Sequence, residues 1–141
     1  MEQNKLIITV GLPMSGKTKW AQKKARELGC PIVSPDAIRM VIHGQHFLAQ
    51  AEGFVWATMK IMVKSLFMAG HTTVIIDSTH TTREERNQWI SSEWKREFKV
   101  MSANVETCIA RANKNNRREI VQRIKDLDRM YAPVDAEEKK L

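Results

Sequence analysis

Gly11-Leu12-Pro13-Met14-Ser15-Gly16-Lys17-Thr18 lies directly after an apolar run, Leu6 to Val10, and directly before a helical pattern that begins at Trp20. The octapeptide reads G-x-x-x-x-G-K-T, and that spacing at a strand-to-helix junction is a phosphate-binding P-loop. Its glycines let backbone N–H groups turn inward on phosphate oxygens, while the helix that follows aims the positive end of its dipole at the same charge. On this reading Gly11, Pro13, Met14, Ser15 and Gly16 form the cradle, Lys17 reaches the β- and γ-phosphates, and Thr18 ligates magnesium. The expected ligand is ATP or another nucleoside triphosphate, with Mg2+.

Short apolar runs alternate with longer helical patterns along the rest of the chain. Leu6 to Val10, Ile32 to Ser34, Thr73 to Ile76 and Phe98 to Ser102 are the predicted strands. Alternation of this kind implies right-handed βαβ units, hence an α/β fold with a parallel sheet of about four strands and helices on both faces. Val55, Met59, Met62, Leu66 and Ala69 recur at helical spacing and predict one buried helix face, closed by Gly70. Thr82-Arg83-Glu84-Glu85 reads as a capping box opening a helix that holds Trp89 and Trp94. Ile120, Ile124, Leu127 and Tyr131 mark a last helix ended by Pro133. The charged stretch from Val134 to Leu141 is expected to fray, and His43 to Ala49, the least patterned interior stretch, is expected to be a mobile loop beside the substrate.

The 141 residues fit one domain, 1–141, with 43% apolar content for a single core. A formal charge of +7 favours nucleic acid or phosphorylated partners over acidic proteins. Cys30 and Cys108, the only two cysteines, are too few for a disulfide framework or a zinc site and are expected to pack as small apolar groups. The N-terminal residues lack the apolar stretch of a signal peptide, and no apolar run approaches the roughly twenty residues of a membrane span. The expectation is a soluble, cytoplasmic protein with no membrane partner.

A P-loop alone does not separate a transferase from a GTPase, an ATPase or a nucleotide-regulated switch. Three further clusters bear on the choice. Ser34-Pro35-Asp36-Ala37-Ile38-Arg39 follows the second strand, with Ser34 suited to a helix cap and Pro35 to the first helical position. Asp36 and Arg39 then share a helix face on the rim where doubly wound sheets bind ligands. There a carboxylate can take the proton of an incoming hydroxyl while the arginine grips an anionic group of the acceptor. Asp77-Ser78-Thr79-His80 ends the third strand at the same rim. Asp77 has three readings: orienting the acceptor, supporting magnesium through water, or capping the loop. His80 is read as an exposed loop histidine, either in contact with substrate or neutral. Lastly, Arg111 and the run Asn113-Lys114-Asn115-Asn116-Arg117-Arg118 suggest a lid over 111–118 that supplies cations during phosphoryl transfer, with Arg111 and Arg117 ahead of Arg118. No Asn-Lys-x-Asp run of a guanine-reading GTPase occurs.

Taken together, G-x-P-x-S-G-K-T at 11–18, D-x-x-R at 36–39, D-S-T-H at 77–80 and the late arginines resemble the 5′-kinase domain of polynucleotide kinases, the phage type especially. The similarity runs from Leu6 to about Pro133. The D-x-x-R element is shared with adenylylsulfate kinases and zeta-toxin-like kinases. The resemblance implies a P-loop kinase-like three-layer sandwich and transfer of a γ-phosphate to the 5′-hydroxyl end of DNA or RNA. It implies Asp36 as general base, Arg39 on the phosphate next to the acceptor nucleoside, and a lid arginine such as Arg117 at the phosphates, while Asp77, Ser78, Thr79 and His80 are the residues expected on the acceptor from their place at the rim. Where this chain has His80 the family usually has asparagine. Related kinases often assemble into homo-oligomers, and a kinase acting on a small nucleotide, nucleoside or sugar is the alternative reading.

Overall fold

The computed structural model describes residues 3–44 and 48–141. Four strands, β1 (Lys5–Val10), β2 (Ile32–Val33), β3 (Thr73–Ile76) and β4 (Lys95–Val100), form one sheet in the order β2-β3-β1-β4. Each adjacent pair is parallel. Residues of β1 alternate between the two faces, as the period of a strand requires. Leu6, Ile8 and Val10 join the larger core, whereas Ile7 packs with Ala21 and Ile75 on the other side.

That second face is covered by α1 (Lys17–Leu28), the helix that leaves the P-loop. The larger core receives α2 (Pro35–His43) through Ile38 and α3 (Glu52–Met68) through Val55, Met59 and Val63. A third cluster, Leu12 with Cys108, Ala112, Ile124 and Leu127, joins α5 (Val105–Lys114) to α6 (Val121–Met130) beneath the P-loop. The short α4 (Arg83–Asn87) links β3 to β4. Among the described residues no helix is long and apolar enough to cross a membrane.

Several elements differ from the sequence pattern. The α3 stripe shifts by one position: Val63 is buried, whereas Met62 and Ala69 are exposed. Gly70 does close the helix, at a φ of 107°, with the His71 N–H on the Leu66 carbonyl. β2 stops at Val33 because Ser34 is spent on capping α2, its hydroxyl accepting from Ala37 N–H at 3.3 Å. β4 starts at Lys95, three residues before the expected Phe98, and pairs in register with all six residues of β1. It is an edge strand, and its Lys95, Glu97 and Lys99 hide it from an apolar search while discouraging further strand pairing.

Trp89 and Trp94 are not in a helix. Thr82 caps α4 as expected, accepting from Glu85 N–H at 3.2 Å, but the helix lasts five residues. Both tryptophans instead anchor the turn to β4 from the core side, and the Trp94 indole N–H donates to the Trp89 carbonyl at 2.8 Å. Nor does the tail fray around Glu138. That side chain is fully buried against Arg86, accepting at 2.5 and 3.0 Å, and Arg96 ties the two backbones together through the carbonyls of Arg86 and Glu138. Within the expected 43–49 loop, residues 45–47 lie outside the described residues. Cys108 is buried and Cys30 partly so, each as an apolar filler.

Candidate active site

The P-loop is held by close approach as much as by turn geometry. A Cβ on Gly11 would lie 2.7 Å from Ser15 Oγ and 2.9 Å from the Met101 side chain, so only glycine fits. Gly16, at a φ of 98°, caps α1 in the left-handed region that glycine tolerates. The N–H of Gly11 donates to the Thr79 carbonyl at 2.9 Å, and Thr9 Oγ1 both accepts from Ser78 N–H at 3.0 Å and donates to the Ser78 carbonyl at 2.8 Å. The loops after β1 and β3 are thereby fastened to each other.

Lys17 is buried, and its ammonium donates to the Leu12 carbonyl at 2.7 Å. Burial lowers its pKa to about 8, a shift opposed by the carboxylates of Asp77 and Asp36. Among the described residues no carboxylate forms an ion pair with this buried ammonium, which suits a site that receives a polyphosphate. Ser15 Oγ is likewise buried with no partner among the described residues. Thr18 donates to Asp77 Oδ2 at 2.8 Å. Burial raises the pKa of Asp77, against the Thr18 hydrogen bond and the charge of Lys17. Among the described residues no group of three or more His, Cys, Asp or Glu could hold a metal alone. Thr18 with Asp77 behind it fits magnesium that takes its remaining ligands from phosphate and water.

Asp36 and Arg39 are joined on one face of α2, with Arg39 Nη1 donating to Asp36 Oδ1 at 2.7 Å. Pro35 takes the first helical position. The Asp36 side chain stays 65% exposed, whereas that of Arg39 is 10% exposed. The guanidinium is fixed from its other side by Glu52, the first residue of α3, through Nε at 2.8 Å and Nη2 at 2.5 Å. Burial works against the charge of Arg39, but the hydrogen bonds and charges of Glu52 and Asp36 outweigh it and raise its pKa.

Two cavities meet at Met14, Lys17 and Thr18. One, of about 500 Å³, is bounded by Pro13, Asp36, Arg39, Asp77, Ser78, Thr79 and Arg117. The other, of about 630 Å³, is bounded by Ser15, Gly16, Arg111 and Asn115. The expected lid is not a separate loop. Arg111 sits on α5 and donates to the Met14 carbonyl at 3.0 Å, on the second cavity; Arg117 lies in the following turn, paired with Glu119 at 2.7 Å, on the first. Arg118 is exposed and lines neither cavity.

His80 departs from its expected place. It is fully buried and lines neither cavity. The Trp89 indole N–H donates to His80 Nε2 at 3.2 Å, so Nδ1 carries the proton and donates to the Thr9 carbonyl at 2.9 Å. Burial lowers its pKa to about 4. The histidine is a neutral bracket behind the P-loop strand. Two residues on the first cavity had no sequence signal of their own, Glu52 and Arg123, since a charge in a helical pattern reads as solvated surface; Trp56, whose ring the sequence offers either for packing or for stacking on a base, lies on the cavity as well.

The chain matches the AAA domain family over residues 6–132. A chain of a Pnkp1/Rnl/Hen1 complex superposes with a TM-score of 0.71 at 25% identity, over 79% of this chain and 40% of that one. A chain of the Pnkp1/Rnl/Hen1 RNA repair complex gives 0.70 at 20% identity, over 94% and 47%. A gluconokinase from Sinorhizobium meliloti 1021 gives 0.60 at 17% identity, over 90% and 76%. The chain thus spans less than half the length of the first two. No curated protein sequence matches it.

Proposed function

Because the chain belongs to the AAA domain family and has the fold of P-loop kinases, we propose that it transfers the γ-phosphate of ATP or another nucleoside triphosphate to the 5′-hydroxyl end of DNA or RNA. One observation carries this reading: a single cavity is bounded both by Lys17 and Thr18 and by Asp36 and Arg39. The exposed Asp36 carboxylate takes the proton of the acceptor hydroxyl as its oxygen bonds to the γ-phosphorus and the bond to the bridging oxygen breaks. Lys17 and the inward N–H groups of the P-loop bind the triphosphate, and Thr18 is the residue that would hold magnesium. When bound, magnesium supplies charge neutralisation and orientation of the phosphates. Arg39, rigid between Glu52 and Asp36, offers its remaining surface to an acceptor phosphate. Arg111 and Arg117 supply cations on the two sides of the P-loop.

The charge of +7 supports a polyanionic acceptor, as does the likeness to a chain in an RNA repair complex. The likeness to a gluconokinase favours a second reading, a kinase of a small polyol. Labelled ATP, magnesium and matched 5′-hydroxyl DNA, RNA, nucleoside and sugar-alcohol acceptors separate the two: label on oligonucleotide ends is expected, and label only on the small alcohols selects the alternative. Asp36→Ala is expected to lower kcat by about 10² to 10⁴ with nucleotide affinity unchanged. Phosphorylation at the parent rate in that variant removes Asp36 from the role of base.

A further inference from the structure

We infer that Trp56 is the stacking platform for the terminal nucleobase of the acceptor, which makes it a specificity-determining residue of the cavity that holds Asp36. The inference rests on the polynucleotide reading above. Trp56 lies on α3, one turn after Glu52, so the residue that clamps Arg39 and the indole share a helix face. Both bound the 500 Å³ cavity together with Asp36, Lys17 and Thr79. An acceptor whose 5′-hydroxyl reaches Asp36 and whose phosphate reaches Arg39 therefore brings its first base to the wall that Trp56 forms.

The ring is fixed from behind and half-buried. Its centroid stands 6.1 Å from that of His80, edge to face at 85°, and 6.2 Å from that of Trp89, tilted by 38°. Those contacts leave little rotamer freedom to lose when a ligand binds, which is what a platform needs. The polar atom of the indole is also unspent. Trp89 donates to His80 and Trp94 donates to the Trp89 carbonyl, whereas the Trp56 N–H has no hydrogen-bond partner among the described residues. That N–H is not among the buried unpartnered atoms, so it is free to meet water or a group that enters the cavity.

Stacking of a base on an aromatic side chain corresponds to about a 5- to 150-fold change in affinity. The test compares kcat/KM on two oligonucleotides that differ only at the 5′-hydroxyl terminus, one carrying a base and one abasic, for the parent, Trp56→Phe and Trp56→Leu. The ratio of the two values is taken within each preparation, so partial misfolding cancels. The parent ratio is expected to be about 5 to 150, largely kept in Trp56→Phe, which retains a flat ring, and near one in Trp56→Leu, which retains only bulk. KM for ATP should stay constant throughout. A parent ratio near one, or a Trp56→Leu ratio equal to the parent's, overturns the stacking role while label still reaches oligonucleotide ends. Absence of label on any oligonucleotide end overturns the polynucleotide reading, and the stacking role with it.

Discussion

Removing Glu52 tests how much of the acceptor side depends on a carboxylate whose hydrogen bonds go to Arg39. Arg39 is nearly buried, and two of its three donor contacts go to Glu52. Two unit charges about 4 Å apart attract by about 4 kcal/mol at an effective dielectric constant of 20. Breaking a buried pair by deleting one partner costs about 3–5 kcal/mol. The Glu52 side chain is 19% exposed, so water screens part of this, and Asp36 still pairs with the guanidinium. A cost of about 2–3 kcal/mol is expected for Glu52→Ala, which corresponds to a fall in Tm of about 6–12 °C in a chain of this size. The kinetic consequence is more diagnostic. With Glu52 gone, Asp36 is the one carboxylate left to Arg39, so the guanidinium swings toward the proposed base and away from the acceptor phosphate. Steady-state kinetics on a 5′-hydroxyl oligonucleotide should show a raised acceptor KM and a lowered kcat at constant KM for ATP. Glu52→Gln should recover part of the stability, since it keeps one acceptor oxygen, but little of the rate. Acceptor kinetics equal to the parent's in Glu52→Ala would refute the clamp.

Two predictions concern stability. Glu138→Ala strands the fully buried guanidinium of Arg86 and should cost about 3–5 kcal/mol in urea unfolding; a loss below about 1 kcal/mol would return the tail to the frayed state that its composition suggests. His80 has a folded pKa of about 4 against 6.5 in the unfolded chain, so the unfolded state takes up the proton first. Its contribution is complete above about pH 6.5 and is lost as pH falls towards 4, about 2 kcal/mol of it between pH 7.5 and 5. A His80→Gln variant should lack that component of the acid slope, and an unchanged slope would show that His80 is not held neutral.

What could be read from the sequence is what neighbouring residues decide among themselves. Gly16 answers to the turn, Ser34 and Pro35 to the start of α2, and Asp36 and Arg39 to helical spacing; each is an interaction within eight residues, and each is found where expected. The parallel sheet followed for the same reason, from alternating local patterns. The misreadings around the site and in the tail involve partners farther along the chain. Glu52 meets Arg39 across 13 residues, Arg86 meets Glu138 across 52, and the His80 imidazole meets the carbonyl of Thr9 across 71. A charge or an imidazole is assigned to the surface by composition because burial is costly without a partner, and nothing local reveals that the partner exists. The same ignorance moved Trp89 and Trp94 into a helix, since the core they plug is assembled by β1, β3 and α3.

The strand order adds a distance that no motif contains. Asp36 follows β2 and Lys17 follows β1, and the order β2-β3-β1 leaves one strand between them. Strands lie about 4.8 Å apart, so the two chain exits are separated by about 10 Å. A hydroxyl needs about 3 Å to a carboxylate, about 3 to 3.5 Å to the phosphorus it attacks, and the phosphoryl oxygens about 3 Å more to an ammonium. Those three contacts in series span the same gap. Asp77, at the end of the intervening β3, stands between the two groups, and its carboxyl registers both: its raised pKa comes first from burial, is opposed by Thr18 and Lys17, and is reinforced by Asp36. Asp77 is thus close enough to feel the charges of both Lys17 and the proposed base Asp36, as the residue that ends the intervening strand should be. With β2 and β1 adjacent the gap would close to about 5 Å, too short for the series, and with two strands between them it would open to about 14 Å, too long.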